Sequence, residues 1–333
     1  MKRIAVRLLL IGFAFFGASC STTKPLFTEA DLYKPNAMTN LTCDGVRIAS
    51  FNTEFMFDGT GDEGGATFDW KGSVEMATEH RRNVGQVIRS LNADVILLAE
   101  VENAEVAQAL VDDTLIGMGY KVYFVQGKDT FTGQDVTVIS RIPITETGRS
   151  DDEVRVGTTT RTYGVSKNLY ARFNIGSVPV TLIGVHLLAQ PMSVERKPQR
   201  EAQAEVIRRM VEAEIKNGRE VIVAGDFNDF DNETLDRNGN VPISDVLRTI
   251  KSAGRGTEDD LHNLLADVPQ SIRFTSLYDS NNDHVALWRE MSAIDHMLLS
   301  PKLYNRVLSV GYIHAHNPFT VTDHFPVTAC LAK

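Results

Sequence analysis

The residues able to do chemistry stand where apolar runs end. Ile48-Ala49-Ser50-Phe51 ends in Asn52, with Glu54 two residues on, and Val95-Ile96-Leu97-Leu98-Ala99 ends in Glu100. Val180-Thr181-Leu182-Ile183-Gly184-Val185 ends in His186, and Val221-Ile222-Val223-Ala224-Gly225 ends in Asp226, with Asn228 two residues on. A polar group at the exit of a buried strand costs free energy unless it meets a partner or faces a site. One such residue is commonly a satisfied strand end, but four suggest a single rim where acids, amides and imidazoles converge. Two later runs are reversed: Asp295 lies at the start of Ile294–Leu299, and Asp323-His324 precede Phe325–Leu331. They join the same rim only if their strands run antiparallel to the earlier ones.

That inventory suits the hydrolysis of a phosphate ester. The reaction is among the slowest uncatalysed ones, and it calls for a cation against the phosphoryl oxygens, an in-line water and proton transfer. The acids present an oxygen donor set, which Mg2+ prefers, with Mn2+ as the alternative ion. Zinc has less support, since no His-Glu-x-x-His segment or cysteine cluster occurs. The chain also lacks a Gly-x-Ser-x-Gly elbow and a P-loop, so a serine esterase and a nucleotide-driven motor fit poorly.

The elements that must position these residues are read from periodicity. Short β-branched runs mark strands at Val46–Phe51, Val95–Ala99, Val122–Val125, Val136–Ile139, Leu169–Phe173, Val180–Val185, Val221–Ala224, Ile294–Leu299 and Phe325–Leu331. Val84, Val87, Ile88 and Leu91 share one helical face, as do Val206, Ile207, Met210, Val211 and Ile215. A strict βαβ repeat does not fit, whereas a mixed α/β pair of sheets with outer helices does. Asp58–Gly65 and Asp229–Asn240 read as loops; acidic Gly-rich turns can hold a cation, but neither has EF-hand spacing, and a solvated turn is the favoured reading of each.

Six segments in order, Ser50-Phe51-Asn52-Thr53-Glu54, Leu98-Ala99-Glu100-Val101-Glu102, Gly184-Val185-His186-Leu187, Gly225-Asp226-Phe227-Asn228-Asp229, Ile294-Asp295-His296 and Thr322-Asp323-His324-Phe325-Pro326-Val327, resemble the motif series of the endonuclease/exonuclease/phosphatase superfamily. Each segment alone is weak; their order over roughly residues 44–333 is specific. The resemblance implies a deoxyribonuclease I-like four-layer α/β/β/α sandwich with mixed sheets and one cleft at the sheet edges. It implies that Glu100 is the principal Mg2+ ligand, helped by Asn52, Glu54 and Asp323. Asp295 would orient His324, His186 would donate to a phosphate oxygen, and Asp226 with Asn228 would position and deprotonate the attacking water or assist the leaving oxygen. A nuclease or other phosphodiesterase is the expected activity, with a phosphatase or a sphingomyelinase-like lipid hydrolase as the alternative and a non-catalytic binding lipoprotein behind both. Arg196, Lys197 and Arg200 are weaker phosphate contacts, with a solvated helix start at least as good a reading. Tyr163 and Asn168 are looser candidates from the middle of the chain. The remaining histidines read as surface or locally satisfied groups; the His296 side chain should point away from the Asp295 face.

Composition bounds the partners. Forty-three acids against 34 bases leave a net charge of −9, which argues against a protein that coats nucleic acid through a basic surface but not against an enzyme that meets phosphate through a metal ion. Lys2, Arg3 and Arg7, then apolar Leu8–Phe16, then Gly17-Ala18-Ser19 before Cys20, have the order of a secretory signal and resemble that of a bacterial lipoprotein acylated at Cys20. Removal of residues 1–19 takes the charge from −9 to −12. Residues 20–41 then read as a tether and 42–333 as one catalytic domain, exported and lipid-anchored at a bacterial membrane, periplasmic or cell-surface. Nucleic acid is the expected substrate partner; no protein partner is expected, and the chain reads as a monomer. With Cys20 acylated, Cys43 and Cys330 are left to form a bridge or to stay as two separate buried thiols.

Overall fold

A computed structural model describes residues 42–333, Arg255 excepted, together with the backbone of Phe27–Thr28. The signal segment and Cys20 lie outside the described residues. Phe27 and Thr28, which fall within the expected tether, pair antiparallel with Ala286 and Val285.

Two six-stranded sheets dominate. The chain first lays down β1 (Val46–Met56), β2 (Val95–Val101), β3 (Lys121–Phe124) and β4 (Asp135–Ser140) of one sheet. It then builds the second sheet from β5 (Glu146–Gly148), β6 (Lys167–Ile175), β7 (Val178–His186), β8 (Glu220–Asp226), β9 (His262–Asn263) and β10 (Asp295–Leu299). Finally β11 (Val307–Tyr312) and β12 (Val327–Leu331) return to the first sheet. The spatial orders are β11-β12-β1-β2-β4-β3 and β9-β10-β8-β7-β6-β5. Each sheet has one parallel pair at its centre, β1 with β2 and β7 with β8, flanked by antiparallel neighbours. Strand β10 runs antiparallel to β8, and β12 antiparallel to β1, as the reversed order of Asp295 and Asp323-His324 requires.

Side-chain alternation builds the layers. Ile48, Val95, Leu97 and Ala99 pack between the sheets against Leu169, Phe173, Leu182, Ile222 and Met297. Their alternates Ala49, Phe51, Ile96 and Leu98 pack under α1 (Val74–Leu91), through its Val84, Val87, Ile88 and Leu91. On the far side Ile183, Val185, Val221 and Val223 meet Val206, Ile207 and Val211, from a helix here called α2 (Lys197–Lys216). The result is the four-layer α/β/β/α sandwich. Helix α1 is closed at both ends: the Ser73 hydroxyl accepts from the Met76 N–H at 3.3 Å, and Asn92 turns left-handed at φ 47°. Cys43, just ahead of β1, is bridged to Cys330 of β12 with Cα atoms 5.7 Å apart, so the two ends of the described domain are joined.

Every strand expected from sequence is present. Strands β5, β9 and β11 are not among those expected: β5 and β9 span three and two residues, and in β11 Gly311 and the open edge position weaken both the β-branched and the alternating signal. The solvated-turn reading fails for the aspartates of Asp229–Asn240, whereas Asp58–Gly65 is largely exposed. Asp229, Asp231 and Asp236 are all buried. Asp231 accepts from Lys251 at 3.0 Å and Asn263 at 2.7 Å, and Asp236 accepts from the N–H groups of Asn238, Asn240 and Ala293. Their carboxylates are compensated by the protein itself. In the other loop Glu63 is buried as well.

Candidate active site

The site is the outer end of the inter-sheet core stripe. Along β7, Leu182, Gly184 and His186 share one face; along β8, Ile222, Ala224 and Asp226 do; along β10, Leu299, Met297 and Asp295 do. Register places His186 opposite Asp226 and Asp226 opposite Asp295, so three polar groups from adjacent strands arrive side by side. In the first sheet, Ile48 and Asn52 share the inward face of β1. Glu100 breaks this rule. Ala99 already faces inward, so the next residue should turn toward the helices, but Glu100 adopts φ 62° and the β2–β4 register shifts there. This left-handed kink rotates its carboxylate back into the cleft. Glu54 and Phe55 are kinked likewise, at φ 50° and 52°. Strain of this kind persists where surrounding contacts over-determine it, commonly at functional sites.

The groups converge closely. Asn52 Nδ2 donates to Glu100 Oε1 at 3.1 Å and to Asp226 Oδ2 at 3.2 Å, and lies 3.5 Å from His324 Nε2. The other Glu100 oxygen accepts from the Phe55 N–H at 2.9 Å. His186 Nε2 stands 3.6 Å from Glu100 and 3.7 Å from Asp226, too far for a direct bond. Its Nδ1 is buried without a partner, so the tautomer with the proton on Nε2 leaves only a lone pair unsatisfied and aims the N–H at the cleft. His324 Nδ1 is 2.8 Å from Asp295 Oδ2, while its Nε2 lies 3.9 Å from Asp226. The Asn228 N–H donates to Asp226 Oδ1 at 2.8 Å, leaving Oδ2 for the cleft. Asn228 itself sits at φ 47°, and Gly225 before Asp226 sits at φ 134°, where a Cβ would fall 2.0 Å from the Val185 carbonyl oxygen.

Electrostatics follow from this crowding. Burial, then Asp295 and Glu100, push Asp226 up to about 8. Burial, then Asp323 and Glu100, hold Glu54 well above the usual carboxylate range. Desolvation, then Glu100 and Asp295, raise Asp323 to about 6 although its side chain remains 40 % exposed. Burial draws His324 down, but Asp295, Asp323 and Asp226 outweigh it and keep the imidazole well above its ordinary value. His186 is driven well below its ordinary value by burial, with Lys167 and His324 adding. Glu54, Glu100 and Asp323 thus form an oxygen-donor group whose mutual repulsion His324 offsets only in part, which fits a hard divalent cation. Asn52 fits that group less directly. It presents Nδ2 to the acids, and its Oδ1, the atom a metal would take, accepts the Glu54 N–H at 3.1 Å.

All nine expected site residues therefore lie in or beside one cleft. Two of the weaker candidates are spent elsewhere. Arg200 is neither a phosphate contact nor a solvated helix start: it is fully buried, donating to the Gln190 and Pro191 carbonyls and facing Asp229 at 3.5 Å. It braces the loop after β7 against the loop after β8. Asn168 spends its amide on the Ser150 and Val165 backbone. His296 points away from Asp295, as expected, and meets Asn263 and the Asp229 carbonyl. Two positions escaped sequence reading. Lys167, opposite His186 in the register, brings a buried ammonium near the cleft, paired with Asp129 at 3.1 Å. Thr275 donates no sequence signal, yet its hydroxyl accepts the N–H groups of Ile294 and Asp295.

Among solved structures, the chain is similar to a protein of the same superfamily from Leptotrichia buccalis, with 15 % identity and a TM-score of 0.58 over 86 % of this chain and 100 % of that one. It is also similar to an AP endonuclease from Archaeoglobus fulgidus, with 16 % identity and TM-score 0.55 over 86 % of this chain and 99 % of that one. The 3'-5' exonuclease NExo from Neisseria meningitidis is alike to the same degree, with 16 % identity and TM-score 0.55 over 86 % and 100 %. At these identities the likeness shows the deoxyribonuclease I-like fold. No curated protein matches in sequence. The model of the Endonuclease/Exonuclease/phosphatase family matches residues 50–324, which span the motif series from the β1 strand to His324, and the chain belongs to that family.

Proposed function

We propose that this chain is a Mg2+-dependent phosphodiesterase, with nucleic acid as its substrate, exported and tethered by lipid at Cys20. The observation that carries the reaction is the convergence of Asn52, Glu100, His186, Asp226 and the Asp295–His324 pair on one sheet-edge cleft, within a phosphoesterase family. A Mg2+ ion held by Glu100 with Glu54 and Asp323 would supply positive charge against the phosphoryl oxygens. His324, kept cationic by Asp295, and the Nε2–H of His186 donate to non-bridging oxygens. Asn52 Nδ2 holds Glu100 and Asp226 in one orientation. Asp226 takes the proton of the attacking water in its ionised form, a fraction that grows as pH rises towards its folded value of about 8. Nucleic acid is supported by the relatives: a related Neisseria 3' phosphatase was solved bound to a product DNA hairpin. Export is supported by the order of residues 1–20 and by the Cys43–Cys330 bridge, since such bonds persist in oxidising compartments.

One observation favours a second reading. A cavity of about 830 Å3 adjoins Glu54 and Asp323, walled by the rings of Phe68, Trp70 and Phe319 and by Asp69, Glu79 and Asp279. No lysine or arginine lines it. Such a wall repels a polyanionic strand and suits a cationic headgroup, which aromatic faces also attract. The lipid-headgroup phosphodiesterase reading therefore stands second. A hydrolysis panel of supercoiled DNA, RNA, sphingomyelin, phosphoinositides and a simple phosphodiester, each with Mg2+ and with chelator, separates the two. DNA or RNA cleavage supports the first reading, and cleavage confined to choline lipid replaces it with the second. Hydrolysis of none of these with Mg2+ contradicts both.

A further inference from the structure

We infer that Asp58, Glu63 and Glu102 form a second divalent-cation site, separate from the catalytic cleft and suited to Ca2+. A carboxylate oxygen from each lies within 4.8 Å of the other two. Acidic clusters at a surface are common without an ion, but this one is enclosed. Glu63 is only 9 % exposed and Glu102 only 7 %. Glu63 and Glu102 thus bring two buried carboxyl oxygens within 4.8 Å of each other. Glu63 Oε2 is buried and has no hydrogen-bond partner.

The contrast with the other acidic loop is informative. There, Asp231 has Lys251 and Asp236 has three backbone N–H groups. Here, none of the three carboxylates has a lysine or arginine within ion-pair distance among the described residues. The donors that reach these carboxylates are neutral: the Asp58 N–H and Asn103 Nδ2 donate to Glu102, the Thr60 N–H donates to Asp58 Oδ1, and the Thr60 hydroxyl donates to Glu63 Oε1 at 3.2 Å. Two buried carboxylates this close need a proton or a cation between them, and a third carboxylate beside them favours the cation. The donors are all oxygen, which selects a hard ion. Two carboxylates on an irregular loop and a third at a strand end match the high oxygen count and loose geometry of Ca2+ better than the small octahedron of Mg2+.

The placement gives the ion a task. Glu102 follows Glu100 by two residues at the end of β2, and Asp58 follows the kinked Glu54-Phe55 by three. The Glu63 loop is also stitched to a neighbouring loop, with the Gly65 N–H donating to the Phe131 carbonyl at 2.7 Å and Gly133 packed on the Glu63 side chain. A cation here pins both strand ends that carry the catalytic acids.

The inference is independent of the proposed reaction. Equilibrium dialysis with Ca2+ on the full chain tests it, comparing the wild type with Glu63→Gln, Glu102→Gln and Glu100→Gln. The expected result is one Ca2+ equivalent that Glu100→Gln keeps, and that Glu63→Gln and Glu102→Gln each weaken at least tenfold. The same Ca2+ should raise the Tm of the wild type and of Glu100→Gln, and not of Glu63→Gln. Circular dichroism checks that each variant is folded; if one is not, the other reads the site. Equal Ca2+ binding by wild type and the folded Glu63→Gln or Glu102→Gln variant overturns the inference, as does wild-type binding that Glu100→Gln alone abolishes.

Discussion

At the Asp295–His324 pair, a single carboxylate decides the charge of the imidazole that faces the phosphate. Asp295→Asn keeps a hydrogen-bond partner in place but removes the charge that holds His324 well above its ordinary value. We predict that kcat falls roughly 100- to 10,000-fold, and that the alkaline limb of the pH–rate profile moves to lower pH. Adding His324→Ala should cost little more, because the two act as a unit; additive losses would show that they do not. Arg200 makes a different prediction. It is wholly buried between two loops, so Arg200→Leu leaves Asp229 uncompensated and should destabilise the fold by about 3–5 kcal/mol in denaturant titration. The polar strand exits could be read from sequence because an acid, amide or histidine ending an apolar run is conspicuous. Arg200 and Lys167 could not, because nothing in a helix start or a strand start says that a long cation will be drawn inward by Asp229 or Asp129.

Elements position the site through two devices: shared inward faces on β7, β8 and β10, and left-handed kinks within the last residues of β1 and β2 and just after β8. The first is visible as alternation in the sequence. The second is not, since nothing about Glu100 or Glu54 marks a non-glycine residue for positive φ, and Asn228 carries only the general tolerance of asparagine for it. A close approach beneath the cleft is a test of the first device. A Cβ on Gly184 would fall 2.3 Å from Leu97 Cδ1 of the facing sheet. Gly184→Ala should therefore cost about 1–3 kcal/mol by overpacking, and Leu97→Ala about 2–5 kcal/mol by leaving a cavity. The double variant should lose clearly less than the sum, because each change relieves the other. Strict additivity in thermal unfolding would mean that the sheets do not meet there.

For the whole molecule, the Cys43–Cys330 bridge and the buried titratable groups set the response to conditions. The bridge spans 287 residues, and replacing both cysteines by serine should cost about 2–5 kcal/mol. Burial holds His80, His314 and His316 at about 4, against 6.5 when exposed, so their contribution to stability grows as pH rises from 4 to 6.5. Asp226 and Glu102, held at about 8, act the other way. The folded state keeps protons that the unfolded chain releases near pH 4, and stability falls as pH climbs to 8. His324 adds to that fall, its contribution being complete below 6.5 and lost as pH passes its raised folded value. Below pH 6.5 the two sets oppose; between 6.5 and 8 only losses remain. The Tm of the chelated protein should drop across that window, and Mg2+ should flatten the drop by compensating the cleft acids. The central claim is a metal-dependent phosphodiester hydrolysis in which Glu100 holds the ion. It is tested most directly by release of nitrophenolate from bis(p-nitrophenyl) phosphate, measured with Mg2+ and with chelator, for wild type and Glu100→Gln. The account predicts turnover that chelation abolishes and that Glu100→Gln lowers at least ~100-fold. Turnover that survives chelation, or that Glu100→Gln leaves unchanged, contradicts it.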